Sequence, residues 1–294
     1  LPTTANYIVV SSLMAPVIVS VGAQSGLIVP LVAVHLFVFY FGILADDTPP
    51  VGLAAFAAAA ISGGNPIATG VQGFTYDIRT ALLPFLFIFN TELLLIDVSP
   101  AKAVLIFIVA VIAMLLFAAA AQGFFLVRNR LWETLALLLV SFTLFRPGFW
   151  LNQVQPPFEH RPGTEVSTIV DTLPAGESLR MTVRGPDFDD PDKIAELTIL
   201  AELGSDGDAQ NRLEAAGLLV AGSEETAALE EPLAGTAFFT KFQMFDFYGD
   251  QPVEIATVQL PTERIFKEVF YLPALLLFGV VYLSQRARQR KLAM

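Results

Sequence analysis

The chain has 294 residues, 54% of them hydrophobic and only 15% charged, with a formal net charge of −11 and a mean hydropathy of +0.62. That composition excludes an ordinary soluble globular domain and points to a bilayer, and the absence of Cys removes disulfides and thiolate metal sites. The charge is unevenly placed: residues 1–150 hold 5 basic and 6 acidic side chains, residues 151–265 hold 7 and 21, and residues 266–294 hold 5 and 1. A middle block this acidic excludes nucleic acid as a partner.

The chain opens Leu1-Pro2-Thr3-Thr4, with neither an initiator Met nor a signal pattern, and reads as the C-terminal piece of something longer. Residues 5–21 are apolar but short for a membrane span and contain Pro16, which suits one arm of a re-entrant hairpin. The apolar run 27–61 is then broken in its middle by Asp46-Asp47-Thr48-Pro49-Pro50. Hydrocarbon offers no water to an unpaired backbone group, so irregular chain at membrane depth survives only where it is buried in protein or lines a cavity. Two half-helices around a break are therefore expected. Carbonyls of the first half and amides of the second converge there, an arrangement by which transporters hold a coupling ion and a carboxylate. The Thr48 hydroxyl suits a hard cation, Pro49 and Pro50 carry no amide hydrogen to repel one, and Asp46 and Asp47 ligate it or tune the field. The competing reading is an ordinary loop between two short helices. Against it, the flank 51–61 is too short to span alone and runs into Ser62-Gly63-Gly64-Asn65-Pro66, a natural end.

Further spans are expected over residues 80–96, 101–127, 131–149 and 266–284. Arg286, Arg288, Arg290 and Lys291 place the C-terminus in the cytoplasm, and walking backwards puts the acidic block outside, Arg128 and Arg130 inside, residues 99–102 outside and Arg79 inside. Trp132 and Trp150 flank one span at its two ends as interfacial aromatics, and Arg146 near the outer end of that span snorkels to the interface. His35 is read as a packed, hydrogen-bonded histidine or a residue just behind a binding site, Glu92 as facing water, and Asn90 and Gln122 as polar bridges between helices.

From residue 155 to 264 the composition is that of a small α+β module, with alternating strands at 178–183 and 253–260, a helix at 208–216 ending at Gly217, and a strand at 218–220. Phe238 to Tyr248 carries aromatics at strand spacing and reads as core plus an edge strand rather than the alternative, a binding groove. Asp187, Asp189, Asp190 and Asp192 alternate like calcium ligands but lack the central Gly and terminal Glu of that loop, so a solvated acidic loop is expected. The domain plan is thus 1–96, 97–150, 151–265 outside the membrane, and 266–294. An aspartyl-protease pair of Asp46 and Asp77 fails because the topology puts one at the midplane and the other at the cytoplasmic surface. No nucleophile elbow, phosphate-cradling loop or His pair appears, so no enzyme is expected.

Three strings carry a family resemblance: Leu1-Pro2-Thr3-Thr4-Ala5-Asn6-Tyr7, then HLFVFYFGILADDTPPVGLAAFAAAAISGGNP from His35, then LPFLFIFN from Leu83. They resemble the end of the large permease of tripartite ATP-independent periplasmic (TRAP) transporters, most closely the fused small-plus-large permeases of the TAXI-type branch. The stretch from Leu213 to Pro273 resembles the domain of unknown function appended to such fused permeases. The resemblance implies a membrane α-helical, elevator-type secondary transporter of a bacterial inner membrane, with a re-entrant hairpin arm and a broken helix, plus a small α+β periplasmic domain. It also implies sodium as coupling ion with no other cofactor, small organic acids as cargo, and a periplasmic solute-binding protein as partner. Carried over by position, the hairpin tip is Pro2, Thr3 and Thr4, and the break is Ala45 to Val51, with the Thr48 hydroxyl and the Ala45 and Val51 carbonyls on sodium. Here Ala45-Asp46-Asp47 precede Thr48, where the family commonly has a Gly and two apolar residues. A second function class is a non-transporting membrane anchor whose outer domain is a regulatory or peptide-binding module.

Overall fold

The computed structural model describes residues 3–44, 48–49, 51–221 and 226–292, the side chains of Thr3 and Arg79 excepted. In chain order the helices are α1 (Thr3–Gln24), α2 (Leu31–Leu44), α3 (Leu53–Ser62), α4 (Pro66–Phe89), α5 (Pro100–Ala121), α6 (Leu131–Phe145) and α7 (Pro147–Val154). There follow β1 (Phe158–Pro162), α8 (Val166–Thr172), β2 (Ser178–Pro186), β3 (Ile194–Glu202), α9 (Ala209–Ala215), α10 (Phe239–Phe242), β4 (Glu254–Pro261) and α11 (Tyr271–Leu292). Two compact units result: Leu1–Ala15, Pro30–Gln155 and Arg264–Met294 form a helical unit, and Pro16–Val29 with Pro156–Glu263 form an α+β unit, the division falling within α1.

In the helical unit α4 packs on α2 and α3, and α5, α6 and α11 share a second seam. Ala113, Ala120, Ala136 and Ala274 are buried on that seam with Leu137, Val140 and Val281, small side chains that let helix backbones approach. Outward faces keep large apolar groups such as Phe107, Leu115 and Leu276 exposed, which suits a lipid solvent rather than water. Thr4–Gln24, Pro100–Ala121 and Lys267–Leu292 are each long and apolar enough to cross a membrane.

Several boundaries depart from expectation for local reasons. The first helix runs 22 residues and tolerates Pro16 inside it, longer than the short arm expected. α4 begins at Pro66 rather than near residue 80, because Asn65 accepts from the Ala68 amide as N-cap and Pro66 fills a first-turn position that needs no donor. α5 stops at Ala121, short of residue 127. The single span expected over 131–149 is instead α6 and α7, bent by 80°. Pro147 forces that bend: it disfavours helical geometry at Arg146, which sits at φ −138° and ψ 62°.

In the α+β unit a four-stranded antiparallel sheet has the order β1-β4-β2-β3, with Met181 paired to Ile199 on one side and Val258 on the other. The expected strands at 178–183 and 253–260 are β2 and β4, and the expected helix is α9, capped by Asp208 and closed at Gly217. Strand alternation turns Leu179, Met181 and Val183, with Leu197, Ile199 and Ala201, onto one face, where Val170, Leu213, Phe238 and Phe242 complete the core. Each large apolar side chain buried there contributes about 2 kcal/mol. The other face is polar: Gln259 accepts from Arg180 Nε at 2.5 Å and donates to Thr182 Oγ1 at 3.0 Å. Burial lowers the Arg180 guanidinium from its ordinary value. Two expectations fail. Residues 238–248 form α10 and turns rather than an edge strand, since Phe238, Phe242 and Phe245 recur at helical rather than alternating spacing on the core side. Residues 218–220 yield only an isolated bridge between Val220 and Leu229.

Candidate functional site

α2 ends at Leu44 and α3 begins at Leu53, so the apolar run is broken where Asp46 to Pro50 stand. Among the described residues, helical i→i−4 bonds reach into the break and across it. The Thr48 amide donates to the Leu44 carbonyl at 3.0 Å, the Gly52 amide to the Thr48 carbonyl at 3.0 Å, and the Phe56 amide to the Gly52 carbonyl at 3.0 Å. Gly52, at φ +28° and ψ 50°, caps α3 in a region that a side chain resists.

The Thr48 hydroxyl also donates to the Leu44 carbonyl, at 2.6 Å. Its single proton is thereby committed, and its oxygen presents lone pairs only, as an ion ligand requires. Thr48 and Pro49 are half-buried, and Pro49 faces α4 closely: a Cβ built on Gly70 would lie 3.0 Å from Pro49 Cγ and 3.4 Å from Ala55 Cβ. Gly70 therefore lets α4 back the break, a role that reading the sequence missed because the glycine lies in a different helix. Val51 is exposed.

The first turn of α1 lies beside the last turn of α2. Asn6 Nδ2 donates to the Gly42 carbonyl at 2.9 Å. One residue on, the Tyr7 hydroxyl and His35 Nδ1 are 3.0 Å apart, and the Tyr7 ring stands edge-on to Phe39 at 5.6 Å. His35 is thus a packed and bonded histidine. Thr4, two residues before Asn6, is exposed. Pro2, Ala45, Asp46, Asp47 and Pro50 lie outside the described residues, as does the side chain of Thr3. Among the described residues no three His, Asp or Glu side chains gather as a metal cluster, Asp187 to Asp192 included. There Asp187 Oδ1 instead accepts from the Asp189 and Asp190 amides.

Elsewhere in the helical unit, Glu92 is ion-paired rather than simply hydrated: it receives Lys102 at 2.8 Å and also Lys267. Burial alone would raise its carboxyl, but the two ammonium groups hold it below the ordinary value. Asn90 bridges helices as expected, donating to the Phe145 carbonyl at 2.6 Å. Arg146 lies over the Phe89 ring at 4.2 Å. A polar lock closes the opposite end of α6. Gln285 Oε1 accepts from the Leu126 and Val127 amides at 3.0 and 3.2 Å, its Nε2 donates to Asn129 and Glu133, and Ser284 and Arg288 donate to the same buried Glu133.

Comparison with known families divides the chain at the start of α5. Residues 103–291 match the family described as Domain of unknown function (DUF3394). The chain belongs to the DUF3394 family. Residues 1–102, which carry α1 to α4 and the break, match the Tripartite ATP-independent periplasmic transporter, DctM component. Comparison with curated proteins and with solved structures yields no match. The DctM component is a transporter permease, not an enzyme, so this DUF3394 chain is a multi-pass membrane component of a TRAP transporter. Such systems work with a periplasmic binding protein. The DUF3394 match runs from α5 through the α+β unit to α11, joining the second helical seam and the sheet in one family segment.

Proposed function

We propose that the chain is the C-terminal part of a sodium-coupled secondary permease that imports small organic acids delivered by a periplasmic solute-binding protein. The observation that carries this reading is the DctM match over residues 1–102 together with a proline-bearing helix break inside it. In this reading sodium sits between the Thr3-Thr4 tip and the break. The Thr48 hydroxyl and the carbonyls of Ala45 and Val51 are its ligands, and Asp46 and Asp47 shape the field. Thr48 is suited to the task because its proton is already donated to Leu44. Support for a tip beside the break comes from Asn6, which ties the start of α1 to the end of α2. Half-helix ends supply partial charges of both signs, the carbonyl end for the cation and the amide end for a substrate carboxylate.

The finer assignments follow the same reading. The parent is a fused small-plus-large permease of the TAXI-type branch in a bacterial inner membrane, residues 151–265 are periplasmic and the C-terminus is cytoplasmic, as the basic tail after Ser284 favours. Sodium-gradient-driven uptake of a labelled organic-acid panel, by proteoliposomes of the full-length permease with its binding protein, tests the reading. Uptake that needs both sodium and the binding protein supports it; no uptake across the panel favours the anchor-and-module alternative.

A further inference from the structure

The α+β unit holds an aromatic cavity that nothing in the transport reading uses. It encloses about 370 Å³ and is lined by Phe188, Phe239, Phe247 and Tyr248, with Gln243 and the carboxylate of Glu231, over a floor of buried Phe242 and Phe245. Phe188 and Tyr248 are 62% and 84% exposed, an unfavourable placement for large rings facing water unless something else covers them.

Hydrogen bonds from three backbone amides tie the wall segments together. The Phe188 amide donates to the Met244 carbonyl at 2.9 Å, the Asp246 amide to the Pro186 carbonyl at 2.9 Å, and the Tyr248 amide to Asp246 Oδ1 at 2.9 Å. The Phe247 ring stacks on Phe242 at 6.4 Å and 26°. The Tyr248 hydroxyl donates to Glu231, and among the described residues no cation pairs with that carboxylate.

Ring faces carry negative potential, so several rings beside an unpaired carboxylate attract a cation, and the surrounding block, with 7 basic against 21 acidic side chains, repels anions. Bare metal ions are poorly served, since hard cations take six or more oxygens and the side chains lining the cavity offer only those of Glu231, Gln243 and Tyr248. An organic ammonium fits: its alkyl groups meet the rings and its charge meets Glu231. We propose that this cavity binds the alkylammonium head of a small solute, which makes the α+β unit a ligand-binding module.

The test is titration calorimetry of the full-length permease, in a detergent without an ammonium head, with choline and with its neutral isostere 3,3-dimethylbutan-1-ol. Saturable choline binding in the millimolar range is expected, with the isostere weaker by about tenfold. Tyr248→Leu, at an exposed position that leaves the core untouched, is expected to abolish binding, and Glu231→Gln to weaken it about fivefold. Equal binding of the isostere would show a plain apolar cavity and overturn the assignment. So would no saturable heat up to about 50 mM choline, or variants that bind like the parent.

Discussion

Thr48 shows how one hydroxyl acquires a direction. Its proton goes to the Leu44 carbonyl, so the oxygen is left to act only as an acceptor, and a valine at that position keeps the shape while removing that acceptor. Gly70 acts on the same break from outside. A Cβ would lie 3.0 Å from Pro49 and a larger group closer still, so Gly70→Val is expected to destabilise the helical unit by about 2 kcal/mol and to depress uptake, readable as a lowered melting temperature beside the transport assay. Glu92 makes a pH prediction. Its folded carboxyl lies below the ordinary value of 4.5, so its two lysine pairs stabilise the fold in full above that pH and lose their effect as pH falls through the lower, folded value. Thermal melts from pH 7 to pH 3 should show an acid limb that Glu92→Gln flattens, while the variant is already less stable at pH 7. An unchanged acid limb would assign the loss to other carboxylates.

At the scale of elements, what was legible in the sequence follows the strength of local periodicity. The half-helices around residue 48 and strands β2 and β4 were readable because hydrophobic run length and alternation persist over many residues. The bend at Pro147 was written in a residue pair and overlooked in favour of span length, and β3 was missed although Ile194 to Glu202 alternates in burial only partly. The proposed site rests on Thr48 and its prolines, which the sequence displays, whereas Asn6 and Gly70 were not legible, because their contacts lie 36 residues away or across helices. Arg212 belongs to the same class. Buried in α9, it donates from Nε to the Gly204 carbonyl at 3.0 Å and from its terminal nitrogens to the Val170, Leu173 and Pro174 carbonyls, stitching α8 to α9. Arg212→Ala is expected to cost about 3 kcal/mol, since several buried carbonyls lose their donor; a denaturant midpoint within error of the parent would contradict this. Gln285 plays the corresponding part between α6, α11 and the 122–130 turn, and Gln285→Leu leaves two amides without their acceptor and removes one of the donors to Glu133. Loss of expression or of melting temperature, rather than of sodium affinity, is its expected signature.

For the whole molecule, two family segments meet at the start of α5: a DctM part containing the helix break and a DUF3394 part containing the second helical seam and the sheet. On the proposed topology the acidic unit faces the periplasm, where a binding protein would meet it. Deletion of residues 156–263 from the full-length permease is then expected to leave expression intact and reduce binding-protein-dependent uptake; normal uptake would remove the α+β unit from the transport cycle. The central claim is that sodium couples at the break, and the most direct measurement is the sodium dependence of uptake by the full-length permease with Thr48, Thr48→Ser and Thr48→Val. Serine is expected to keep near-parental sodium dependence, while valine raises the half-saturating sodium concentration about tenfold or abolishes uptake, as expected for one lost oxygen ligand. Valine uptake with the parental sodium dependence would contradict the claim.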